Sequence, residues 1–290
     1  MEYPNTIDVS FGPLEWGDMM ALSHREADAI SKGHVSLGSI VLEDGSFFTN
    51  FHCDLTLRCN ERCPDCLKML GVLPIDDAST DLTEEQTREA GRLLSLYKIR
   101  IRRLQISGGE PFLHPAFLDR FQQMKDSWKP LVVRIYTNGT LASPWGKKRV
   151  GSTLRLISMD DKKTMHVPYY ASPFDLGISP VHGFSSACAR MSACGRSFNA
   201  YGFTPCTQYS HVGRILGRDV HSSHPKILGD VEICKHCICT LPPKKRGWLR
   251  AEIRKGGVEY PTKTYREGIA REKEQPTKMV DFSTRLKMGA

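Results

Sequence analysis

Three cysteines lie close together in the sequence: Cys59, Cys63 and Cys66. Thiolates bind zinc and iron–sulfur clusters, and a 4Fe–4S cluster normally takes four of them. A loop that supplies three, with no fourth nearby, therefore suggests a cluster with one open iron. Pro64 prevents a continuous helix, so this segment is able to curl around a cluster. Zinc is the alternative, although structural zinc sites usually have four ligands and only Cys63 and Cys66 show their usual spacing.

Three later segments follow predicted strands. They are Gly108-Gly109-Glu110-Pro111, Thr137-Asn138-Gly139 and Ser158-Met159-Asp160. Each segment alone is typical of an ordinary turn. Together with the C-x3-C-x2-C spacing, and in this order, they resemble the motifs of the radical S-adenosylmethionine (SAM) superfamily. The chain departs from that pattern at Asp65, where the residue before the last cysteine is usually aromatic.

This resemblance implies a cofactor, a cosubstrate and a partner. Cys59, Cys63 and Cys66 would hold a 4Fe–4S cluster whose fourth iron is chelated by SAM. An external one-electron reductant such as flavodoxin or ferredoxin would supply the electron that splits SAM to a 5′-deoxyadenosyl radical. The residues that the resemblance assigns to SAM binding are Gly108, Gly109, Glu110, Thr137, Asn138, Ser158 and Asp160. No general base can be named from the sequence.

Apolar periodicity predicts an α/β fold. Strands are expected at 51–57, 101–106, 131–136 and 153–157, with helices from a capping box at 83–86 to about residue 98 and at 115–125. Alternation of strand and helix predicts parallel strands, whose carboxyl ends meet at one edge and place the four motifs there. The segment is too short for a complete barrel, so we expect a partial (β/α) barrel. We also predict a hairpin from 35–42 and 46–49, a fifth strand within 166–176, and a packing role for Cys53.

A second group of cysteines follows the predicted barrel. Cys194, Cys206, Cys234 and Cys237 form a two-plus-two arrangement that suits either a four-thiolate zinc site or a second 4Fe–4S cluster. Their surroundings resemble the twitch domain, a shortened SPASM domain, which implies an auxiliary 4Fe–4S cluster. Cys188 and Cys239 could each replace a neighbour or be buried thiols. We expect the nearby histidines, including His236, to lie at the surface or behind the ligands.

Composition limits the class of protein and its surroundings. The chain of 290 residues is 40% hydrophobic and has no apolar run near the roughly 20 residues of a membrane span, so we expect a cytoplasmic globular protein. Its net charge of +8 is concentrated in residues 243–290, which contain 13 Lys/Arg and 6 Asp/Glu. We expect this basic tail to be mostly solvated, with its aromatic residues packing or stacking. The predicted divisions are an extension (1–50), a partial barrel (51–185), a twitch-like domain (186–242) and the tail (243–290).

Several functions remain open at this stage. A radical SAM enzyme could oxidise or rearrange a small molecule, nucleotide or peptide, with the auxiliary cluster as electron acceptor or relay. It could instead modify nucleic acid through the basic tail, which salt-sensitive binding would reveal. The last alternative is a non-catalytic zinc or iron–sulfur binding module. That alternative leaves the three later motifs without an explanation.

Overall fold

The computed structural model describes most of the chain from residue 46 onward. The described residues are 46–63, 65–73, 78–141, 168–178, 195–226, 229–241 and 243–288, with short strands at 9–10, 35–36, 39–41 and 155–158. The strands are β1 (Val9–Ser10), β2 (Val35–Ser36), β3 (Ser39–Val41), β4 (Phe47–Thr56), β5 (Ile99–Gly108), β6 (Val132–Thr137), β7 (Arg155–Ser158), β8 (Arg196–Asn199) and β9 (Gly202–Thr204).

Seven α-helices accompany these strands in the described part of the chain. They are α1 (Glu84–Leu96), α2 (Phe117–Trp128), α3 (Thr207–Ile215), α4 (Val231–Cys234), α5 (Pro243–Arg254), α6 (Lys263–Glu274) and α7 (Phe282–Met288). Within the described residues, none of these helices combines the length and apolar character needed to cross a bilayer.

A mostly parallel sheet forms the centre of the fold. Strands β4 to β7 pair in parallel in chain order, and β8 pairs in parallel with the other side of β4. Antiparallel pairs add β3 to the start of β4, β2 to β3, β1 to β6, and β9 to β8. The α/β prediction is confirmed, whereas closure into a partial barrel remains a prediction.

The predicted elements agree with the structure in most places. Thr83 caps α1 through a complete capping box, in which its hydroxyl accepts from the Gln86 amide at 3.1 Å and its own amide donates to the Gln86 side chain at 3.0 Å. The predicted pairing of 35–42 with 46–49 is confirmed by the antiparallel β3–β4 pair, although the first segment contains two short strands, β2 and β3, that also pair with each other. The prediction of a strand within 166–176 was wrong for the residues of that segment that are described. Residues 168–178 contain a turn and a 3-10 helix at Phe174–Leu176. Pro168 and Pro173 lack the amide hydrogens that a ladder requires.

The two faces of β4 have opposite character. Phe51, Cys53 and Leu55 alternate onto one face, where they are fully buried in the main apolar core with residues of α1 and α2. The packing role expected of Cys53 is confirmed, and burial raises the pKa of its thiol. His52 and Asp54 occupy the opposite face and are also buried. The sheet is therefore covered on both sides at this strand.

The C-terminal helices are part of the folded structure. Phe282 of α7 is fully buried, with its ring centroid 4.9 Å from that of Phe198 and 5.6 Å from that of Phe203. Tyr265 of α6 is also fully buried. The expectation that aromatic residues of the tail pack is confirmed for these two side chains, which return to the apolar clusters, while most other residues described in 244–288 are exposed or partly exposed. Trp248 of α5 is the exception, at 54% exposed.

Candidate functional site

The first cysteine loop begins directly after β4. Its backbone turns at the second and third cysteines, where the Cys66 amide donates to the Cys63 carbonyl at 3.3 Å and the Met69 amide donates to the Cys66 carbonyl at 2.9 Å. Cys59 and Cys66 are partly buried against an apolar cluster that includes Leu57, Met69 and Tyr170. The three thiols thus lie on one short loop at the carboxyl end of a central strand.

Burial controls the charge of these thiols. It raises the pKa of Cys59, and it raises the pKa of Cys66 to about 11, with a further increase from the neighbouring Cys63. Both thiols are therefore protonated at neutral pH in the metal-free protein. Thiolate ligation of a metal would release these protons, so metal loading at this loop should be pH-dependent.

The glycine loop after β5 lies against the backbone of the cysteine loop. The Gly109 amide donates to the Thr56 carbonyl at 2.8 Å, and the Glu110 amide donates to the Arg58 carbonyl at 2.8 Å. A Cβ atom built on Gly108 would lie 2.0 Å from the Thr56 oxygen, and one on Gly109 would lie 2.0 Å from the Arg58 oxygen. Both positions require glycine, because any side chain would separate the two loops.

Glu110 joins the glycine loop to the loop after β6. Its carboxylate is fully buried and accepts the Thr137 hydroxyl at 2.8 and 2.9 Å, the Asn138 amide at 2.7 Å and the Phe112 amide at 3.1 Å. Asn138 in turn donates from its side chain to Asn60 of the cysteine loop at 2.6 Å. Three of the four predicted motifs are therefore in direct contact with one another.

The fourth motif lies partly outside the described residues. Ser158 ends β7 and pairs in register with Thr137 at the end of β6, so it reaches the same edge of the sheet. Asp160 lies outside the described residues. The expected meeting of strand ends is thus observed for the cysteine, glycine and Asn138 loops and for the backbone of Ser158.

Asp65, the position that departs from the superfamily pattern, contacts the C-terminal part of the chain. Its carboxylate accepts a hydrogen bond from the Tyr260 hydroxyl. The Tyr260 ring stacks on Tyr170 with centroids 6.1 Å apart and planes inclined by 6°. At this position the chain therefore has a hydrogen bond that ties the cysteine loop to the segment between α5 and α6.

A buried polar network on the second face of the sheet was missed by sequence reasoning. His52 Nε2 lies 3.0 Å from Asp54 Oδ1 and 2.6 Å from Ser107 Oγ. Lys68, two residues after the last cysteine, donates to Ser107 Oγ at 2.7 Å and also to Asp54. A signal was present, since His52 and Asp54 alternate with buried apolar residues along β4. What the pattern lacked was an indication that the second face of the sheet is covered.

The described cysteines of the second group share one apolar cluster. Cys206 occupies the N-cap position of α3 without a side-chain capping bond, and Cys234 ends α4. The Cys237 amide donates to the Cys234 carbonyl at 3.0 Å. All three belong to a cluster with Tyr209, and Cys239 is buried in the same cluster. Cys188 and Cys194 lie outside the described residues. The described thiols thus lie in the same part of the fold, around α3 and α4.

His236, within the Cys234–Cys237 segment, has partners other than cysteine. Its Nδ1 lies 2.9 Å from the Ser172 hydroxyl, and its ring centroid is 5.0 Å from that of Phe174. The Tyr265 hydroxyl donates to its carbonyl at 3.1 Å. The place of His236 relative to a metal site stays a prediction, since these contacts involve no cysteine side chain.

Both cysteine groups offer donors suited to iron–sulfur chemistry. Soft thiolates select iron–sulfur clusters or zinc over hard cations. The first group has three thiols on one loop, and each of Cys59 and Cys66 is close enough to Cys63 for mutual electrostatic influence. No set of His, Cys, Asp and Glu side chains within the described ranges is arranged around a single metal ion. The donor chemistry of the first loop fits a three-thiolate cluster site.

Comparisons with known proteins give short similarities. No family model matches the chain. The chain is 33% identical to GTP 3′,8-cyclase of Chlorobaculum tepidum over 88 residues, which are 30% of this chain and 24% of that protein. It is 31% identical to molybdenum cofactor biosynthesis protein 1 of Bos taurus over 108 residues, 37% of this chain and 17% of that protein.

The matches thus span about a quarter or less of the length of these two relatives. Together with the motifs, they support a radical SAM enzyme at the level of the superfamily. These similarities do not test the resemblance of the second cysteine group to a twitch domain.

Proposed function

We propose that this protein is a radical SAM enzyme. The observation that carries the proposal is the contact of three motif loops at one edge of the parallel sheet. The cysteine loop bonds to the glycine loop through the Arg58 carbonyl, and to the Asn138 loop through Asn60. A fully buried Glu110 joins the last two loops. Such a junction would hold a cluster and its cosubstrate in fixed relative positions.

The residues of this edge divide into ligands and positioning residues. Cys59, Cys63 and Cys66 would hold a 4Fe–4S cluster. The SAM-binding surface would comprise Gly108, Gly109, Glu110, Thr137, Asn138, Ser158 and Asp160. When bound, the cluster and SAM supply a 5′-deoxyadenosyl radical that abstracts a hydrogen atom from the substrate. Glu110 would act by positioning, because its carboxylate oxygens accept hydrogen bonds from Thr137, Asn138 and Phe112.

The buried network of His52, Asp54, Lys68 and Ser107 would hold the cysteine loop in place beside the substrate site. Lys68 is attached to the cysteine loop by only one intervening residue, and its ammonium group reaches the Asp54 carboxylate on β4. The pair would fix the position of the loop relative to the sheet. Its burial also supports a site from which water is largely excluded, as radical chemistry requires.

We propose that the second cysteine group holds an auxiliary 4Fe–4S cluster through Cys194, Cys206, Cys234 and Cys237. Support comes from the shared apolar cluster of Cys206, Cys234 and Cys237. The auxiliary 4Fe–4S cluster would accept or relay an electron from the substrate. Iron content distinguishes the cases, since two clusters require about eight irons per chain and one requires about four.

The proposed substrate is a small molecule, with a nucleotide as one candidate. The name of one relative, GTP 3′,8-cyclase, favours a nucleotide, although the similarity covers a minor part of that protein. An external flavodoxin or ferredoxin would be the electron donor.

Modification of nucleic acid is a second candidate, favoured by one surface. Helix α5 contains five basic residues and one acidic residue, and its Trp248 is exposed. Basic and aromatic side chains together can contact phosphates and stack on bases. Binding of a single-stranded oligonucleotide that weakens with salt and with Trp248→Ala would support this candidate. Equal binding by wild type and variant would refute it.

The proposed function is tested by anaerobic reconstitution with iron and sulfide, followed by incubation with SAM and dithionite. We expect 5′-deoxyadenosine from the wild-type protein and its loss in Cys63→Ala. The matched control is Cys53→Ala, because Cys53 is buried on the opposite face of β4 from the polar network. Formation of 5′-deoxyadenosine by Cys63→Ala at the wild-type rate would contradict the assignment.

A further inference from the structure

Helix α3 carries two buried polar side chains, Gln208 and His211, with atoms that find no hydrogen-bond partner in the part of the chain that the structure describes. Gln208 is 2% exposed, and neither its amide nitrogen nor its amide oxygen has a partner among the described residues. His211, one turn later, is also 2% exposed, and its Nε2 lacks a partner in the same part of the chain. Buried polar atoms are nearly always hydrogen-bonded in native proteins. These three atoms therefore indicate a ligand or water between α3 and its neighbours.

The position of Gln208 on α3 gives it the same direction as residues that pack in both apolar clusters. Successive residues of an α-helix are rotated by about 100° around its axis. Viewed along the axis, Gln208 therefore lies between Ile215 and Val212. Ile215 belongs to the apolar cluster that Cys59 and Cys66 contact. Val212 belongs to the cluster that contains Cys237. Gln208 is thus on the side of α3 that packs against both apolar clusters.

The start of α3 also meets the buried network of β4. Thr207 Oγ1 is 3.5 Å from Asp54 Oδ2. Burial lowers the pKa of His211 well below its usual value, and the nearby Lys68 lowers it further. His211 is therefore a neutral imidazole that can donate or accept one hydrogen bond at Nε2. The first turns of α3, which carry Gln208, therefore lie beside two sets of polar groups: the His211 imidazole and the network around Asp54.

We propose that Gln208 binds the –CO–NH– edge of a small-molecule substrate held between α3 and the polar face of β4. A glutamine amide presents one donor beside one acceptor, which is complementary to the acceptor and donor of a lactam or a nucleobase. The burial of Gln208 favours an enclosed small molecule over a polymer. This assignment of substrate class rests on the proposed radical SAM function.

The proposal is tested by ligand-observed NMR on the reconstituted full chain under anaerobic conditions. The probes are uridine, guanosine and 2-pyrrolidinone, which carry the –CO–NH– edge. Their matched controls are 3-methyluridine, 1-methylguanosine and N-methyl-2-pyrrolidinone, in which a methyl group replaces the donor hydrogen. Gln208→Met keeps the side-chain length without hydrogen-bonding atoms, and Gln122→Met on the exposed face of α2 is the control variant.

We expect at least one unmethylated probe to bind the wild type and Gln122→Met equally. Binding should weaken about tenfold or more on N-methylation of the probe or in Gln208→Met, because either change removes a buried hydrogen bond. SAM affinity should be unchanged in Gln208→Met. The proposal is overturned if no unmethylated probe binds, if the N-methylated probes bind equally well, or if Gln208→Met weakens SAM instead.

Two further readouts keep the outcomes separate. Ligand-free Gln208→Met should melt at a temperature no lower than the wild type, because the substitution removes polar atoms that lack partners. If the variant fails to fold, the methylated probes on the wild type still decide the proposal. Iron content and 5′-deoxyadenosine formation in the same preparations test the radical SAM function. Their failure alongside methylation-sensitive binding would refute that function and leave supported only the binding of a –CO–NH– edge by Gln208.

Discussion

Replacing Gly109 with alanine tests the contact between the glycine loop and the cysteine loop. The new Cβ would lie 2.0 Å from the Arg58 carbonyl oxygen and 2.8 Å from Cys59 Cβ. Real Cβ contacts are rarely shorter than 3.0 Å, so the loops must separate by about 1 Å. The atoms that must move are backbone atoms next to a cluster ligand.

We expect Gly109→Ala to cost about 1–3 kcal/mol of unfolding free energy, the usual range for an overpacked site. Its effect on function should be larger, since a misplacement of about 1 Å at an active site can reduce a rate about a hundredfold. The assays are urea unfolding of the metal-free protein, iron content after reconstitution, and the rate of 5′-deoxyadenosine formation.

The matched control is Gly247→Ala in α5, where an added Cβ would meet no atom within 4 Å. Alanine is favoured over glycine within a helix by about 0.5–1 kcal/mol, so this variant should be slightly more stable and fully active. The reasoning is refuted if Gly109→Ala keeps wild-type iron content, stability and SAM cleavage.

Three more predictions concern charged groups that are buried or partly buried. Glu110→Gln should destabilise the protein by about 2–4 kcal/mol and slow SAM cleavage, because the new amide group would point hydrogens at N–H and O–H groups that now donate to the carboxylate. Urea unfolding and the 5′-deoxyadenosine assay measure the two effects. A loss of unfolding free energy under about 1 kcal/mol would contradict the prediction. Lys68→Met should cost about 3–5 kcal/mol by leaving the Asp54 carboxylate buried without its ammonium partner, and unfolding equal to wild type would count against the network. Burial opposes ionisation of Asp219, but hydrogen bonds from His221 and the Val280 amide outweigh it and hold the pKa of the Asp219 carboxyl below its usual value. This carboxylate therefore contributes stability above about pH 4 that is lost as the pH falls through its folded value, so Asp219→Asn should lower the melting temperature at pH 7 and make it less sensitive to acid; an unchanged melting curve would exclude this role.

The sequence predicted the elements whose causes are local. The Thr83 capping box and the alternation of Phe51, Cys53 and Leu55 depend on neighbouring residues, and the structure confirms both. Strand order through β4, β5, β6 and β7 followed from strand–helix alternation and a preference for short right-handed connections.

What the sequence did not predict depends on residues far apart in the chain. β8 pairs with β4 across more than a hundred residues, and Phe282 of the last helix packs on Phe198 of β8. The network of His52, Asp54 and Ser107 was also not predicted, because it becomes recognisable only when both faces of the sheet are known to be covered. Fold topology, not local propensity, creates these contacts.

The central claim is that Cys59, Cys63 and Cys66 hold a cluster that reductively cleaves SAM. The most direct measurement is low-temperature EPR of the dithionite-reduced, reconstituted protein, with and without SAM. A variant with alanine at Cys206, Cys234 and Cys237 would isolate the first site. We predict a reduced 4Fe–4S signal in that variant that changes shape when SAM is added, because SAM would bind the open iron. A signal that SAM leaves unchanged, or a protein that takes up zinc and no iron, would contradict the account.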